Sequence, residues 1–355
     1  MESEQVRRVF TQREPHRAEY GHLINRAIGL YEDPTRYSVR ALVDLFTLQF
    51  RMMRAEDSQT RHSLMAEFSA AMDAIHPVAN APERVYLYQD DNMPADTAYT
   101  ENPGYIYDHD PDFRPYYLEM PVDKNVQPKG GVLLVAGGSH GAGTINECYQ
   151  IGLELNAAGY QAFILQCRPN GCPYSKLETA TDASRALRLI RARAAEYRVN
   201  PDHLAYAGFS NGGVTGDFCV QFYSMGQKIQ DYFPDYVPDA ADEQPGGPNA
   251  LLIIYGARHK STEYWQDNVQ YPPTFFAIGR EDKVCCQNLF EEHLPYLQDR
   301  NVPYEIHTFA GHPHGYAGWR IIDGKNDPNF DLWLTHAAAF LDDLFGYPVW
   351  QTPAL

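Results

Sequence analysis

Three residue types in the second half of the chain have the spacing to perform acyl-transfer chemistry. These are a serine between glycines, a carboxylate and a histidine. Ser210 stands in Gly208-Phe209-Ser210-Asn211-Gly212-Gly213, directly after the apolar run Leu204 to Ala207. That pattern reads as a strand turning sharply into a helix with the serine at the apex. Side chains at 208 and 212 would crowd the turn. A serine hydroxyl is a poor nucleophile at neutral pH; it needs a base within hydrogen-bond reach and a carboxylate to orient that base. Two later segments offer them, Gly279-Arg280-Glu281-Asp282 and Gly311-His312-Pro313-His314-Gly315. Glu281 competes with Asp282, and His312 with His314. Asp282 is preferred because the shorter side chain lies one residue deeper in the turn. His314 is preferred because the glycine after it lets the chain aim the imidazole at the serine. Attack on a carbonyl creates an oxyanion that needs about two N–H donors. Asn211, the residue after the serine, should supply one. Gly137-Gly138-Ser139-His140 should supply the rest, with Gly138, Ser139 and His140 the expected contributors.

The elements that must position these groups recur in a regular order. Val132–Ala136, Gln161–Gln166, Leu204–Ala207, Ala250–Tyr255, Thr274–Ile278 and Tyr304–Phe309 read as strands. Helical patterns over 145–158, 179–197, 287–300 and 331–345 alternate with them. Continuous apolar strands separated by helices indicate a mostly parallel sheet covered on both faces. Loops at the C-terminal ends of such strands carry the site, and Ser210, Asp282 and His314 all fall there. Upstream, Arg84–Tyr88 and Tyr116–Pro121 read as short strands. Between them, Tyr107-Asp108-His109-Asp110-Pro111-Asp112 lacks the spacing of a metal-ligand set and reads as a solvated loop. Val39, Leu42, Val43, Phe46, Phe50 and Met53, then Leu64, Phe68, Met72 and Ile75, recur at helical spacing. They predict two amphipathic helices, each with one apolar stripe. The aromatic, proline-rich insertion 227–249 either lines a cleft or decorates the surface.

Composition sets outer limits. The 355 residues carry a net charge of −17 with 44% apolar residues. That is enough for a sizeable core and argues against nucleic acid or an anionic membrane as partner. No stretch approaches the ~20 apolar residues of a membrane span. MESEQVRRVF has neither a long apolar run nor a small-residue cleavage site, so no signal peptide is expected. The six cysteines lack paired metal spacing and are expected as free thiols, which points to the cytoplasm.

The Gly-Gly turn at 137–138, Gly208-Phe209-Ser210-Asn211-Gly212-Gly213, Pro272-Pro273-Thr274-Phe275-Phe276 and His314-Gly315 together resemble the α/β-hydrolases of the esterase/lipase group. Within that group the chain is most similar to bacterial acetyl and feruloyl esterases that act on carbohydrates. Two positions depart from the group's pattern: Ser139 replaces the last glycine of the oxyanion turn, and Asn211 stands where alanine is usual. The resemblance covers about 130 to 345 and implies an α/β-hydrolase fold with helices on both faces of the sheet. A helical N-terminal extension, 1–80, would precede a catalytic domain, 81–355. The extension is expected to pack on that domain as a cap or cleft wall, with a homo-oligomer contact left open. The implied activity is hydrolysis of small-molecule or carbohydrate esters through an acyl-serine, without metal or organic cofactor. A prolyl-oligopeptidase-type peptidase, an acyltransferase and a non-catalytic binding protein on the same fold are the alternatives.

Overall fold

The computed structural model describes residues 16–31, 36–79, 81–95, 114–138, 144–168, 176–258, 268–318 and 332–348. Its centre is an eight-stranded sheet in the order β1-β2-β4-β3-β5-β6-β7-β8. The strands are β1 (Arg84–Tyr86), β2 (Tyr116–Met120), β3 (Gly130–Val135), β4 (Tyr160–Gln166), β5 (Leu204–Phe209), β6 (Ala250–Ile254), β7 (Thr274–Gly279) and β8 (Tyr304–Phe309). The first two pair antiparallel at one edge, and the strands from β4 to β8 run parallel. Every residue of β3, β5, β6 and β7 is buried, as expected of strands covered on both faces.

Alternation along the strands divides the core in two. On β5, Ala205, Ala207 and Phe209 face one layer, and Leu204 and Tyr206 face the other. The first layer holds helices α2 (Val39–Arg54), α4 (Ile151–Ala157) and α7 (Leu332–Leu344). The second holds α5 (Lys176–Ala192), α6 (Asn211–Tyr223) and the helical turns over 286–299. Order reverses between β3 and β5, so the connections leaving those two strands part to opposite faces. In sheets of this kind, ligands bind outside the C-terminal ends of the strands at such a switch point.

The N-terminal region holds three described helices where the sequence reading has two: α1 (Arg17–Tyr31), α2 and α3 (Ser58–Ala74). Tyr20, Leu23, Ile24 and Ala27 of α1 are buried at i, i+3, i+4 and i+7. Helix α2 also departs from the single stripe expected of it. Val39, Leu42, Val43 and Phe46 join the sheet-side core, while Leu45 and Met52 join a separate cluster with α1 and α3. It is therefore the layer through which the other two helices attach. Helix α2 packs directly on a π-helical turn, Thr144–Gln150, that leads into α4.

The insertion 227–249 is held by a row of arginines on α5. Arg185, Arg188 and Arg191 recur every three residues and are all buried. Arg188 donates to the carbonyls of Asp242 and Gln244, both at 2.5 Å, and of Gln227 at 2.7 Å. Arg191 donates to those of Pro245 at 2.6 Å and Pro201 at 3.1 Å. Arg185 pairs with Asp239 and Asp242. Burial pushes Arg191 down to about 10, its partners being neutral oxygens and not carboxylates. Tyr232 packs edge-on against Phe222 and Tyr223. Those residues lie at the far end of α6, about 18 Å of helix from Ser210. These contacts place Tyr232 away from the serine, and Tyr236 is buried edge-on against Tyr88 in the second core layer, so both aromatic residues serve to anchor the insertion on the domain.

Candidate active site

Strand register brings the reactive turns together. Val135 pairs with Gly208, which sets the Gly137-Gly138 turn beside the serine turn. Phe209 pairs with Ile254, so Tyr255 follows next to Ser210. Gly279 pairs with Phe309, which places the acid turn beside the histidine loop.

Ser210 sits between β5 and α6 at φ 50°, ψ −114°, a region that non-glycine residues rarely occupy. The flanking glycines make that turn sterically feasible. A Cβ at Gly208 would overlap the Gly212 carbonyl, and one at Gly212 would overlap the Val135 carbonyl. The resulting turn holds the half-buried serine at the C-terminal end of β5, with its hydroxyl toward His314.

Ser210 Oγ lies 2.8 Å from His314 Nε2, and His314 Nδ1 lies 2.8 Å from Asp282 Oδ2. To make the first contact the histidine loop must reach back from β8 across three strand spacings, about 14 Å. Gly311 and Gly315, at φ 75° and 77°, allow that path. Gly279 contributes by lacking a side chain, because a Cβ there would overlap the His312 carbonyl. Asp282 is buried, and its second oxygen accepts the N–H groups of Val284 at 2.7 Å and Cys285 at 2.9 Å. Burial raises its pKa, but the bonds from His314, Cys285 and Val284 outweigh that and hold the carboxyl below the ordinary aspartate range. An anion fixed on Nδ1 sets the tautomer in which Nε2 can take a proton from the serine.

The competing residues are placed elsewhere. Glu281 is exposed. His312 is buried, with Nδ1 2.9 Å from the Ala310 carbonyl and its ring packed edge-on against Tyr316. It anchors the loop that carries His314.

Beside the serine turn, Gly138 has φ 62° and Asn211 begins α6. The Asn211 side chain donates to the Gly138 carbonyl at 2.8 Å, which ties the two turns together. Ser139 and His140 lie outside the described residues, as do Cys172 and the Tyr107–Asp112 cluster. The five described cysteines are free thiols; Cys148, Cys167 and Cys219 are buried, and Cys285 and Cys286 are half-buried. Among the described residues, Asp282, Cys285 and His314 have donor atoms within 4.8 Å of one another. A cation there would have to break the Asp282–His314 contact.

Two groups of this site escape the sequence reading. Glu147, on the turn before α4, is buried. Its Oε2 accepts the Gly137 N–H at 2.6 Å, and its Oε1 accepts the Tyr255 hydroxyl at 2.8 Å. The Tyr255 ring packs edge-on against His314, with centroids 5.2 Å apart, and the residue has φ 38°. Glu147 stands among other polar residues of its helical pattern, Asn146 and Gln150 beside it, so the local sequence does not single it out.

No family profile matches the chain. It is 25% identical over 232 residues to endo-1,4-beta-xylanase B of Butyrivibrio fibrisolvens, a match covering 57% of this chain and 34% of that one. The chain thus spans about a third of the length of that curated relative. Similar solved structures include an acetyl ester-xyloside bifunctional hydrolase from Caldicellulosiruptor lactoaceticus. It is 19% identical with a TM-score of 0.57, over 76% of this chain and 100% of that one. An α/β hydrolase enzyme from a Medee basin deep-sea metagenome library is 20% identical with a TM-score of 0.52, over 75% and 98%. Esterase 2 of Thermogutta terrifontis, phosphorylated by paraoxon, is 16% identical with a TM-score of 0.54, over 76% and 96%. With the parallel sheet and its switch point, these likenesses establish the α/β-hydrolase fold.

Proposed function

We propose that the protein is a serine carboxylic-ester hydrolase, with Ser210 as nucleophile, His314 as general base and Asp282 as the orienting acid. The observation that carries this is the continuous series Ser210 Oγ–His314 Nε2 and His314 Nδ1–Asp282 Oδ2, each at 2.8 Å. His314 takes the serine proton as Oγ attacks the ester carbonyl. The oxyanion is held by backbone amides of Asn211 and of the 137–140 turn, Gly138, Ser139 and His140 among them. Collapse expels the alcohol, protonated by the imidazolium, and leaves an acyl-serine. Water, activated by His314, then releases the acid. Catalysis in this scheme draws on neither a metal nor an organic cofactor.

The substrate class rests on the comparisons. One structural neighbour is a hydrolase of acetyl esters and xylosides, and the curated relative is a xylanase. Both fit acetyl esters of carbohydrates as substrates, and feruloyl esters of carbohydrates are the second candidate, from the sequence resemblance. Residues 81–355 form the catalytic domain in this reading, and 1–80 an extension. The extension acts on the site by backing the Thr144–Gln150 turn through α2. The free thiols fit a reducing compartment such as the cytoplasm.

The test is labelling by a fluorophosphonate probe together with hydrolysis of p-nitrophenyl acetate, acetylated xylan and methyl ferulate. The wild type should be labelled at Ser210 and active. Ser210→Ala should be folded, unlabelled and slower by ~10³-fold or more. Equal activity in the two proteins excludes the mechanism.

A further inference from the structure

Glu147 lies outside the Ser210–His314–Asp282 series, yet it touches both halves of the site. One oxygen holds the N–H of Gly137, where even an added Cβ would lie 2.9 Å from Ser210 Cβ. The other holds the Tyr255 hydroxyl, whose oxygen in turn receives the N–H of Ala317. Ala317 is three residues past His314 on the same loop, and the Tyr255 ring lies against the imidazole itself. A single buried carboxylate therefore bonds directly to the turn after β3 and, through one tyrosine, to the histidine loop.

Such a carboxylate is costly to bury and costly to replace. Burial raises its pKa, opposed by the Gly137 N–H, the Tyr255 hydroxyl and the neighbouring His314. Two donors converging on its two oxygens suit the ionised form, which accepts at both. The ionisable groups facing it are Cys148 on its own turn, Tyr255 after β6, and His314 on the loop after β8; Tyr316 stands behind Tyr255. Burial keeps Cys148 and Tyr255 protonated, so His314 is the neighbour whose charge changes during turnover.

We propose that Glu147 is a positioning residue of the hydrolase reaction. It fixes the oxyanion turn and the histidine loop in one geometry, and its charge favours the imidazolium that forms when Ser210 is deprotonated. This inference rests on the reading of Ser210 and His314 as nucleophile and base.

Three variants test it: Glu147→Gln, Tyr255→Phe and the double variant, each compared with wild type on p-nitrophenyl acetate from pH 5 to 9. Misplacing the turn and loop should lower kcat by ~10- to 100-fold in Glu147→Gln with KM changed less. Loss of a nearby negative charge disfavours the protonated histidine, so the acid limb of kcat/KM should move to lower pH by roughly half to one unit. Tyr255→Phe should lower kcat without moving that limb as far, because the carboxylate stays. The two effects should be less than additive in the double variant, since both cut one connection. If Glu147→Gln does not fold, the Tyr255→Phe kcat decides alone. A wild type that neither hydrolyses esters nor reacts with fluorophosphonate overturns the functional reading and this inference with it. An active wild type whose Glu147→Gln variant keeps its kcat and pH limb overturns this inference alone. So does an unchanged kcat in Tyr255→Phe when the glutamine variant does not fold.

Discussion

Replacing Ser210 by glycine and, separately, by alanine isolates the backbone cost of presenting the nucleophile. Both changes remove the hydroxyl and its contact with His314; only alanine keeps the Cβ. At φ 50°, ψ −114° a residue with a Cβ carries about 1–3 kcal/mol of strain. Glycine gives that strain up but loses about 0.5–1 kcal/mol more chain entropy on folding. It also forfeits the packing of a half-buried methyl, worth at most about 0.8 kcal/mol. Central values leave glycine ahead of alanine by about 1 kcal/mol. At an unstrained position the order is reversed by about the same amount, so the sign of the difference is the result. Urea denaturation of the two inactive variants, with linear extrapolation, measures it. Alanine more stable than glycine by 0.5 kcal/mol or more, roughly what an ordinary site gives, would refute the claim that the serine turn stores strain.

Further outcomes follow from the same geometry. His314→Ala should cut ester hydrolysis by ~10³-fold or more, while His312→Ala should mainly lower stability; the reverse pattern in paired kinetics and melting curves would move the base. The depressed pKa of Asp282 contributes stability that is fully present above the unfolded value near about pH 4 and is lost as pH falls through the lower folded value. The stability gap between wild type and Asp282→Asn should therefore close in acid titration below about pH 3, and a gap that stays constant would contradict the assignment. Gly208→Ala should yield no soluble protein, because the added Cβ meets backbone at Gly212; recovery of a folded, active variant would show that the turn can relax. Deleting residues 1–78 removes Val39, Leu42, Val43 and Phe46 from the core and should cause aggregation, read by size-exclusion chromatography. A monodisperse, fully active truncation would mean that α2 is dispensable.

What could be read from sequence alone was decided by range. The serine turn is a local pattern whose glycines are demanded within four residues, and the parallel strands announce themselves as apolar runs. The preference for Asp282 over Glu281 and for His314 over His312 rests on the local turn alone. The structure brings the chosen residues to Ser210 and leaves Glu281 exposed and His312 packed in its loop. Glu147 was out of reach because its partner Tyr255 lies 108 residues away, and nothing within a helical turn of it signals that contact. The α1 stripe was legible by its i, i+3, i+4, i+7 spacing. The double-faced burial of α2 was not, since a second apolar face becomes visible only once a second layer of helices is in place. The arginines of α5 recur at helical spacing, but charged residues on a helix read as a solvated face until something covers them.

That covering has a bearing on how this chain could change. Arg188 grips the insertion by the carbonyl oxygens of residues 227, 242 and 244, and Arg191 by that of Pro245, and every amino acid supplies a carbonyl. At those carbonyl contacts the clamp senses the path of the main chain, whereas Arg185 holds the carboxylates of Asp239 and Asp242, and a Cβ at Gly246 would meet Arg188. Positions 227, 244 and 245, held by their carbonyls, can thus drift in sequence while the main chain keeps its path, whereas Asp239, Asp242 and Gly246 are tied to the arginines as they stand. An alteration of one arginine releases several contacts at once. Tolerance and fragility therefore sit on opposite sides of these carbonyl contacts, with the freedom in the loop and the constraint in the helix beneath it.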